Sequence, residues 1–286
     1  MSYKGTDISI IYLTKNGGEL FKESLRSVFE QKIDKKFEVV CIDSGSTDST
    51  LNVIKQYPIR LYQLKPEEFS FGPVRDFGFS KANGAILVTL SQDVVPCNNQ
   101  WLYYLTEPFE SPDVSVAQGH DVRPANKDIY FWEKAGYFYF TAESRKWVSE
   151  YGIGLSCSNM AIRRNVWDEC KFGSTPMSED KALQAKLHKQ GYRIVYVKEA
   201  QAFHGHSYNM GTLIKRCENE GLGWRYANVS YSFLDMIKDI LSLKKYNILI
   251  RGIFAKKITT LSEVCFPVIR PLWLFKGSHF TKNYRN

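Results

Sequence analysis

No Cys-x-x-Cys pair occurs in these 286 residues; the six cysteines, Cys41, Cys97, Cys157, Cys170, Cys217 and Cys265, are scattered. That argues against a disulfide framework or a cysteine zinc site and for reduced thiols in a cytosolic compartment. There is no run of eighteen or more uncharged apolar residues, so no spanning helix is expected. The polar stretch Met1 to Asp7 runs straight into a strand-like segment, and no signal peptide is expected from it. No Gly-x-Gly-x-x-Gly follows that segment, which disfavours a dinucleotide-binding oxidoreductase. RNP, helix-turn-helix and zinc-finger signatures are also missing, which counts against nucleic-acid recognition. Without a Pro/Gly/Ser-rich linker or an internal repeat, one large α/β domain with a tail fits the length better than two small domains.

Acid is scarce where base is plentiful. From Ser232 to Asn286 ten Lys/Arg face three acids, Asp235, Asp239 and Glu263, so this tail carries +7 of the net +8 charge. A near-neutral body with a basic, apolar-rich tail points to an anionic surface, membrane or nucleic acid. Within the tail, 233–243, 248–258 and 264–275 read as amphipathic stretches, the last broken by Pro267 and Pro271. Basic residues beside Leu, Ile, Phe and Trp suit a helix lying in the interface of an anionic leaflet; packing on the body or another subunit is the alternative.

The body alternates. Ile8 to Leu13, Phe37 to Ile42, Ile59 to Leu64 and Ile86 to Leu90 read as strands. Helical spacing appears at Leu20, Phe21, Leu25, Val28 and Phe29, then from Leu51 to Tyr57 and from Arg75 to Asn83. This rhythm implies a doubly wound, mostly parallel sheet. Ile86 to Leu90 is continuously apolar, as a strand buried on both faces should be. Pro96 closes the run, which puts Ser91-Gln92-Asp93 at the carboxyl edge, where open α/β sheets bind ligands. A carboxylate there is a hard oxygen ligand for Mg²⁺ or Mn²⁺, or a loop-capping aspartate.

Taken in order, Thr14-Lys-Asn16, Asp43-Ser-Gly-Ser-Thr-Asp48-Ser-Thr, Arg75-Asp-Phe-Gly78 and Ser-Gln92-Asp93 resemble the family 2 glycosyltransferases. The variants Phe69-Ser-Phe-Gly-Pro-Val-Arg75 and Leu-Ser-Gln-Asp93-Val-Val-Pro96 are similar to the bacterial rhamnosyltransferase subgroup. The likeness continues through Gln118-Gly-His-Asp-Val-Arg-Pro124, Ser158-Asn-Met-Ala-Ile-Arg-Arg164, Ser178-Glu-Asp180 and His204-Gly-His-Ser-Tyr-Asn209. It implies an A-type glycosyltransferase fold, Rossmann-like in its nucleotide-sugar part. The expected organisation is a catalytic domain over 1–231, with a nucleotide-binding part to 97 and an acceptor part beyond, followed by an amphipathic helical tail over 232–286.

The same resemblance distributes roles. Thr14, Asn16, Asp43, Arg75, Gln92 and Asp93 fall on the donor side, Asp43 toward the imide of uracil or thymine and Arg75 toward diphosphate oxygens. Asp43 also reads as a turn-former, Asp48 as a helix-start acid and Arg75 as a helix-start arginine. Asp93 and His204 are the metal candidates, for Mg²⁺ or Mn²⁺, although Ser91 stands where many relatives have the first Asp of Asp-x-Asp. Asp180 is the implied catalytic base; alone, Glu179 and Asp180 read as first-turn acids behind an N-cap at Ser178. Glu179, His206, Asn159 and Arg163 fall on the acceptor or diphosphate side. The aromatic run Ile129 to Tyr151, Phe140 included, reads as acceptor surface or as core. The implied activity is inverting transfer of a sugar, L-rhamnose from dTDP-rhamnose foremost, to a polyprenyl-diphosphate-linked glycan of bacterial surface polysaccharide. The chain would then work in the cytoplasm, peripheral on the inner membrane face, without nucleic acid. Phe71 and Asp76 replace the subgroup's usual His and Asn. A UDP-hexose or UDP-N-acetylhexosamine donor is the near alternative; a non-catalytic nucleotide-sugar-binding or nucleic-acid-binding protein is the distant one.

Overall fold

Alternating β-rich and amphipathic segments fold as their periods require. The computed structural model describes residues 5–124, 128–139, 141–152 and 154–284. Its elements run β1 (Ile8–Thr14), α1 (Gly18–Phe29), β2 (Phe37–Asp43), α2 (Thr50–Ile54), β3 (Ile59–Gln63), α3 (Phe71–Lys81), β4 (Ile86–Leu90) and β5 (Val95–Pro96). Then come α4 (Trp101–Thr106), β6 (Val114–Val122), α5 (Phe131–Lys134), α6 (Ala142–Tyr151), β7 (Asn159–Arg163), α7 (Arg164–Cys170), α8 (Glu179–Lys189) and β8 (Arg193–Phe203). Four helices finish the chain: α9 (Met210–Tyr226), α10 (Phe233–Ile240), α11 (Leu243–Phe254) and α12 (Leu261–His279). All six cysteines are free thiols. Among the described residues no helix is long and apolar enough to cross a membrane.

The chain divides into two units. The first, built from the described part of 1–122 with Leu155–Ser174 and Glu179–His204, holds one sheet in the order β3-β2-β1-β4-β7-β6-β8-β5. Its β1–β4 half is parallel throughout; β4–β7, β7–β6 and β8–β5 are antiparallel and β6–β8 is parallel. The sheet is therefore mixed, because β7 enters beside β4 from the opposite end. Helices cover both faces. Phe21, Leu25 and Val28 of α1 meet Ile10 and Val88 in one core, and Phe79, Val166, Trp167 and Leu183 meet Ile11, Leu87 and Ile162 in the other. Leu87, Val88, Thr89 and Leu90 are buried, as an apolar strand between two helical layers requires.

The second unit groups the chain differently from the expected parts 1–97, 98–231 and 232–286. It joins the described part of 123–154 and Thr175–Ser178 to everything after His204. Met236, Phe266 and Leu274 share a core with Tyr130, Trp132, Phe138, Leu213 and Trp224. The tail is thus half of a helical unit rather than an appendage, and only the long-range partners of its apolar faces could have revealed that. The prolines do not break the last helix either: Pro267 and Pro271 lie inside α12. Proline at 267 leaves the Glu263 carbonyl without its helical donor. The Trp132 indole N–H fills that place at 2.7 Å.

Close backbone approach fixes α9 on α12. A Cβ at Gly221 would lie 2.1 Å from the Leu274 carbonyl oxygen, and one at Gly277 would lie 2.0 Å from that of Glu218. Backbone cannot yield as a flexible side chain does, so Gly277→Ala should cost about 3 kcal/mol. Urea unfolding measures this, and a loss within experimental error of zero would refute the close packing.

Lys245 is buried against Asp239, its Nζ 3.9 Å from the carboxylate. Burial pushes its pKa down to about 8, outweighing the pull of Asp239. The folded chain therefore binds this proton less well than the unfolded one. The cost is complete below about pH 8 and fades as pH rises toward the ordinary lysine value of about 10.4. Asp239 keeps the Tyr231 hydroxyl at 2.8 Å and the Ala142 N–H at 3.0 Å without it. Lys245→Met should thus raise the melting temperature at neutral pH, with an advantage that shrinks by about pH 10. An advantage equal at both pH values would be the contrary result.

Candidate active site

The loops leaving β1, β2 and β4 knit together at the carboxyl edge. Asn16 sits at φ 50°, a left-handed conformation Asn tolerates well. Its Oδ1 accepts the Thr47 N–H at 2.8 Å while its own N–H donates to Ser46 Oγ at 2.8 Å. Gln92 grips Lys15 by both backbone groups, accepting its N–H at 2.9 Å and donating to its carbonyl at 3.2 Å. Asp48 accepts the N–H of Thr50 at 3.0 Å and of Gly18 at 3.3 Å. Hydrogen bonds from Thr50 first of all hold its carboxyl below the usual aspartate range.

Asp43, the last residue of β2, is held by the turn that follows it. It is fully buried. Oδ2 accepts the N–H groups of Gly45 and Ser46 at 3.1 and 3.0 Å; Oδ1 accepts the Ser46 hydroxyl and, at 3.3 Å, that of Thr14. A carboxylate offers about four acceptor positions, and its own turn fills them. Asp43 and Thr14 shape the loop that a nucleotide would meet.

Three residues converge from three strand ends in the first unit. The turn from Ser91 N–H to Ser158 O at 3.0 Å, followed by Val94 N–H to Ser91 O at 3.0 Å, carries Asp93 past β4. Parallel pairing of β6 with β8 continues to Val122 opposite Phe203, and His204 N–H donates to Val122 O at 2.9 Å. That register sets Asp121 beside His204, whose Nδ1 lies 2.7 Å from Asp121 Oδ2. Ser158 Oγ donates to the same oxygen at 2.9 Å. On the other side of the ring, Nε2 lies 4.0 Å from Asp93 Oδ2. One ion with ligand bonds of about 2.1 Å spans such a gap, and a carboxylate-oriented histidine is a common metal ligand. The mixed N/O donor set suits Mn²⁺ better than Mg²⁺. Sequence reading missed Asp121; its only signal was an acid ending a strand within the Gln118–Pro124 motif.

Arg75 and Glu179 come together away from their expected tasks. Arg75 is neither a solvated arginine nor an open fork; Nε and Nη2 lie 3.0 and 2.8 Å from Glu179 Oε1, and Nη1 donates to Thr89 Oγ1. Both side chains are about 95% buried (5% and 6% exposed). Burial pushes the Glu179 carboxyl up, Arg75 pulls it back and Asp180 adds to the rise. This buried pair ties α3 to α8. Asp180, next along α8, stays half-exposed and accepts the Lys181 N–H at 2.8 Å. Ser178 takes a left-handed backbone, φ 60°, rather than the extended one usual for an N-cap.

Asn159 and Arg163 are held by structural partners. Asn159 is fully buried, accepting from Trp101 Nε1 at 2.9 Å and donating to Ala200 O at 3.1 Å. Arg163 pairs with Ile86 across β4 and β7 while Asn159 pairs with Leu90, which puts it at the opposite edge from Asp93. Its guanidinium ties down the carbonyls of Val114, Phe109 and Ser111 at 2.7, 2.7 and 2.9 Å. Asp76 has a structural reason to be acidic: it accepts from Trp167 Nε1 and the N–H groups of Phe172 and Gly173 at 2.8, 3.0 and 2.8 Å.

In the second unit His206 is held by Glu133, which accepts its Nδ1–H and its backbone N–H, each at 3.1 Å. Burial raises the Glu133 carboxyl, but the bonds from His206 and the charge of Arg123 outweigh it and leave the pKa low. Tyr130, Phe131, Trp132 and Phe138 are buried core, the alternative reading of that aromatic run; Phe140 lies outside the described residues.

A mixed α/β sheet with helices on both faces is the fold of the A-type glycosyltransferases, and solved structures of that class share it. The mannosyltransferase PcManGT of Pyrobaculum calidifontis, in complex with GDP-Man and Mn²⁺, superposes with a TM-score of 0.61 at 16% identity, over 96% of this chain and 88% of that one. Glucosyl-3-phosphoglycerate synthase of Mycobacterium tuberculosis, with Mn²⁺, UDP-Glc and phosphoglyceric acid, gives 0.59 at 16% identity over 79% and 81%.

The chain belongs to glycosyl transferase family 2, whose sequence model matches residues 9–170. It is 26% identical over 211 residues to the O-antigen chain rhamnosyltransferase WbaN of Salmonella anatum, covering 70% of this chain and 66% of that protein. Against the O-antigen chain rhamnosyltransferase RfbN of Salmonella typhimurium it is 26% identical over 213 residues, covering 70% and 67%. The match thus spans about two thirds of those relatives' length.

Proposed function

We propose that this chain is an inverting, metal-dependent rhamnosyltransferase that moves L-rhamnose from dTDP-rhamnose to a polyprenyl-diphosphate-linked glycan of bacterial surface polysaccharide, working in the cytoplasm at the inner membrane face. The reading is carried by the Asp93, His204 and Asp121 arrangement at the carboxyl edge, and supported by the relatives named for O-antigen rhamnosyl transfer. Asp93 and His204 would hold Mn²⁺ or Mg²⁺, which when bound neutralises charge on the departing diphosphate. Asp121, 2.7 Å from Nδ1, would orient the His204 ring toward the ion. Thr14, Asn16, Asp43 and Gln92 fix the loops that receive the nucleotide. His206, oriented by Glu133, serves the diphosphate or acceptor side. Asp180 takes the proton of the acceptor hydroxyl as that oxygen bonds to the anomeric carbon. The bond to the nucleoside diphosphate breaks on the opposite face, so a single displacement inverts the centre.

A UDP-sugar donor is the second reading, since the Mycobacterium tuberculosis synthase that shares the fold is solved with UDP-Glc. Thermal-shift titrations with dTDP, UDP and GDP, each with and without Mn²⁺, separate the two, since a ligand of the folded state raises its melting temperature. The largest Mn²⁺-dependent shift should come with dTDP, and Asp93→Ala should remove it. Asp121→Asn should weaken Mn²⁺ binding by about 10–100-fold, read by calorimetry or electron paramagnetic resonance without turnover. Absence of a metal-dependent shift with every nucleotide would overturn the proposal.

A further inference from the structure

The last three helices spend their acids internally. Asp235, Asp239 and Glu263, the only acids after Ser232, are all buried. Asp235 closes the α10 cap with Ser232 at 2.7 Å; Asp239 receives Tyr231 and Ala142; Glu263 receives the N–H groups of Phe131 and Thr259, each at 2.8 Å. Lys245 and Arg270 are buried too. The surface left between Leu241 and Tyr284 therefore carries cations, among them Lys244, Arg251, Lys256, Lys257 and Lys282, and no acid.

That surface is also apolar where α11 turns into α12. Phe254 is 84% exposed and Leu261 71%, with Ile250 and Ile253 beside them on α11 and Val264 and Val268 continuing along α12. The turn between is rigid. Lys256 N–H bonds Ile253 O and Lys257 N–H bonds Gly252 O, each at 2.9 Å, with Lys256 at φ 53°, a Schellman-type stop. Thr260 and Glu263 then form a capping box that starts α12. Two capped helix ends thus present large apolar side chains at a fixed tip, with Arg251, Lys256 and Lys257 around them.

We propose that the α11–α12 hairpin is a wedge into an anionic lipid leaflet. Phe254, Leu261, Ile250 and Ile253 enter below the headgroups; Arg251, Lys256 and Lys257 meet the lipid phosphates. A second copy of this chain is the poorer occupant, because a twofold contact between these helices would set cations against cations, and none of their own acids is exposed. The inference extends the placement at a membrane adopted above and does not depend on which sugar is moved.

Co-sedimentation of the full chain with vesicles tests it. Binding to phosphatidylcholine vesicles holding about 30% phosphatidylglycerol should exceed binding to phosphatidylcholine alone at least about tenfold, and should weaken in about 0.5 M salt. Phe254→Asp with Leu261→Asp should reduce binding about tenfold or more, and Lys256→Glu with Lys257→Glu should abolish the preference for anionic lipid. All four side chains are exposed, so the Mn²⁺-dependent nucleotide shift should stay as in the wild type and report intact folding. Equal binding by the Phe254/Leu261 variant, or a wild-type dimer that this variant turns into monomer without vesicle binding, would overturn the wedge. In the wild type, absence of vesicle binding with an intact nucleotide shift defeats the wedge and spares the enzyme, whereas vesicle binding without a nucleotide shift defeats the enzyme and spares the wedge.

Discussion

Asp180→Asn should lower turnover by about 10²–10⁴-fold, the usual worth of a positioned general base, while the Mn²⁺-dependent nucleotide shift and the melting temperature stay near wild type. The amide keeps the size of the side chain and an oxygen for the Lys181 N–H, but it cannot take a proton. The neighbouring carboxylate is the internal control. Glu179 is buried on Arg75, so Glu179→Gln should alter stability more than chemistry, whereas Asp180→Asn should do the opposite. Release of nucleoside diphosphate in the presence of a lipid-linked acceptor measures both. Full turnover in Asp180→Asn would leave the chain with a different base, or as a donor-binding protein whose chemistry is done elsewhere.

Periodicity disclosed the elements well, and it could not disclose their partners. Ile86 to Leu90 is a central strand because it is apolar on both faces, and Asp93 follows it into the carboxyl-edge loop as Pro96 demanded. The A-type fold followed from motif order. What escaped were relations between distant segments. Asp121 meets His204 only because β6 and β8 pair in parallel with Val122 opposite Phe203, and no local pattern specifies that register. Arg163 was placed near the site because it follows Asn159 within a motif, yet β7 runs antiparallel to β4, so four residues along it cross the sheet. Asp43 shows a motif position kept for the loop it builds. Pro267 looked like a helix end since nothing local announces that Trp132 will satisfy the freed carbonyl. The tail's charge was legible; the burial of its three acids, which makes its surface purely basic, was not.

Arg75→Met should destabilise the chain by about 3–5 kcal/mol, because it leaves Glu179 charged and unpaired in the interior. The pH dependence gives the signature. Burial already pushes the Glu179 carboxyl up, and Arg75 opposes the rise. Without Arg75 the folded-state pKa climbs further above the unfolded value, so the folded chain holds this proton more tightly. The contribution is then most favourable at acid pH and is lost as pH rises through the folded pKa. Arg75→Met should accordingly be least handicapped in mild acid and most handicapped at neutral pH and above. Adding Glu179→Leu removes the stranded charge, and the double variant should recover most of the loss, since a well-packed apolar pair often matches a buried ion pair. Urea unfolding of the four species in a double-mutant cycle provides the numbers. Arg75 also has a second possible task that stability alone would not reveal. If its guanidinium served the diphosphate, the stable double variant would still lose nucleotide affinity; a wild-type nucleotide shift in that variant assigns Arg75 to holding α3 against α8.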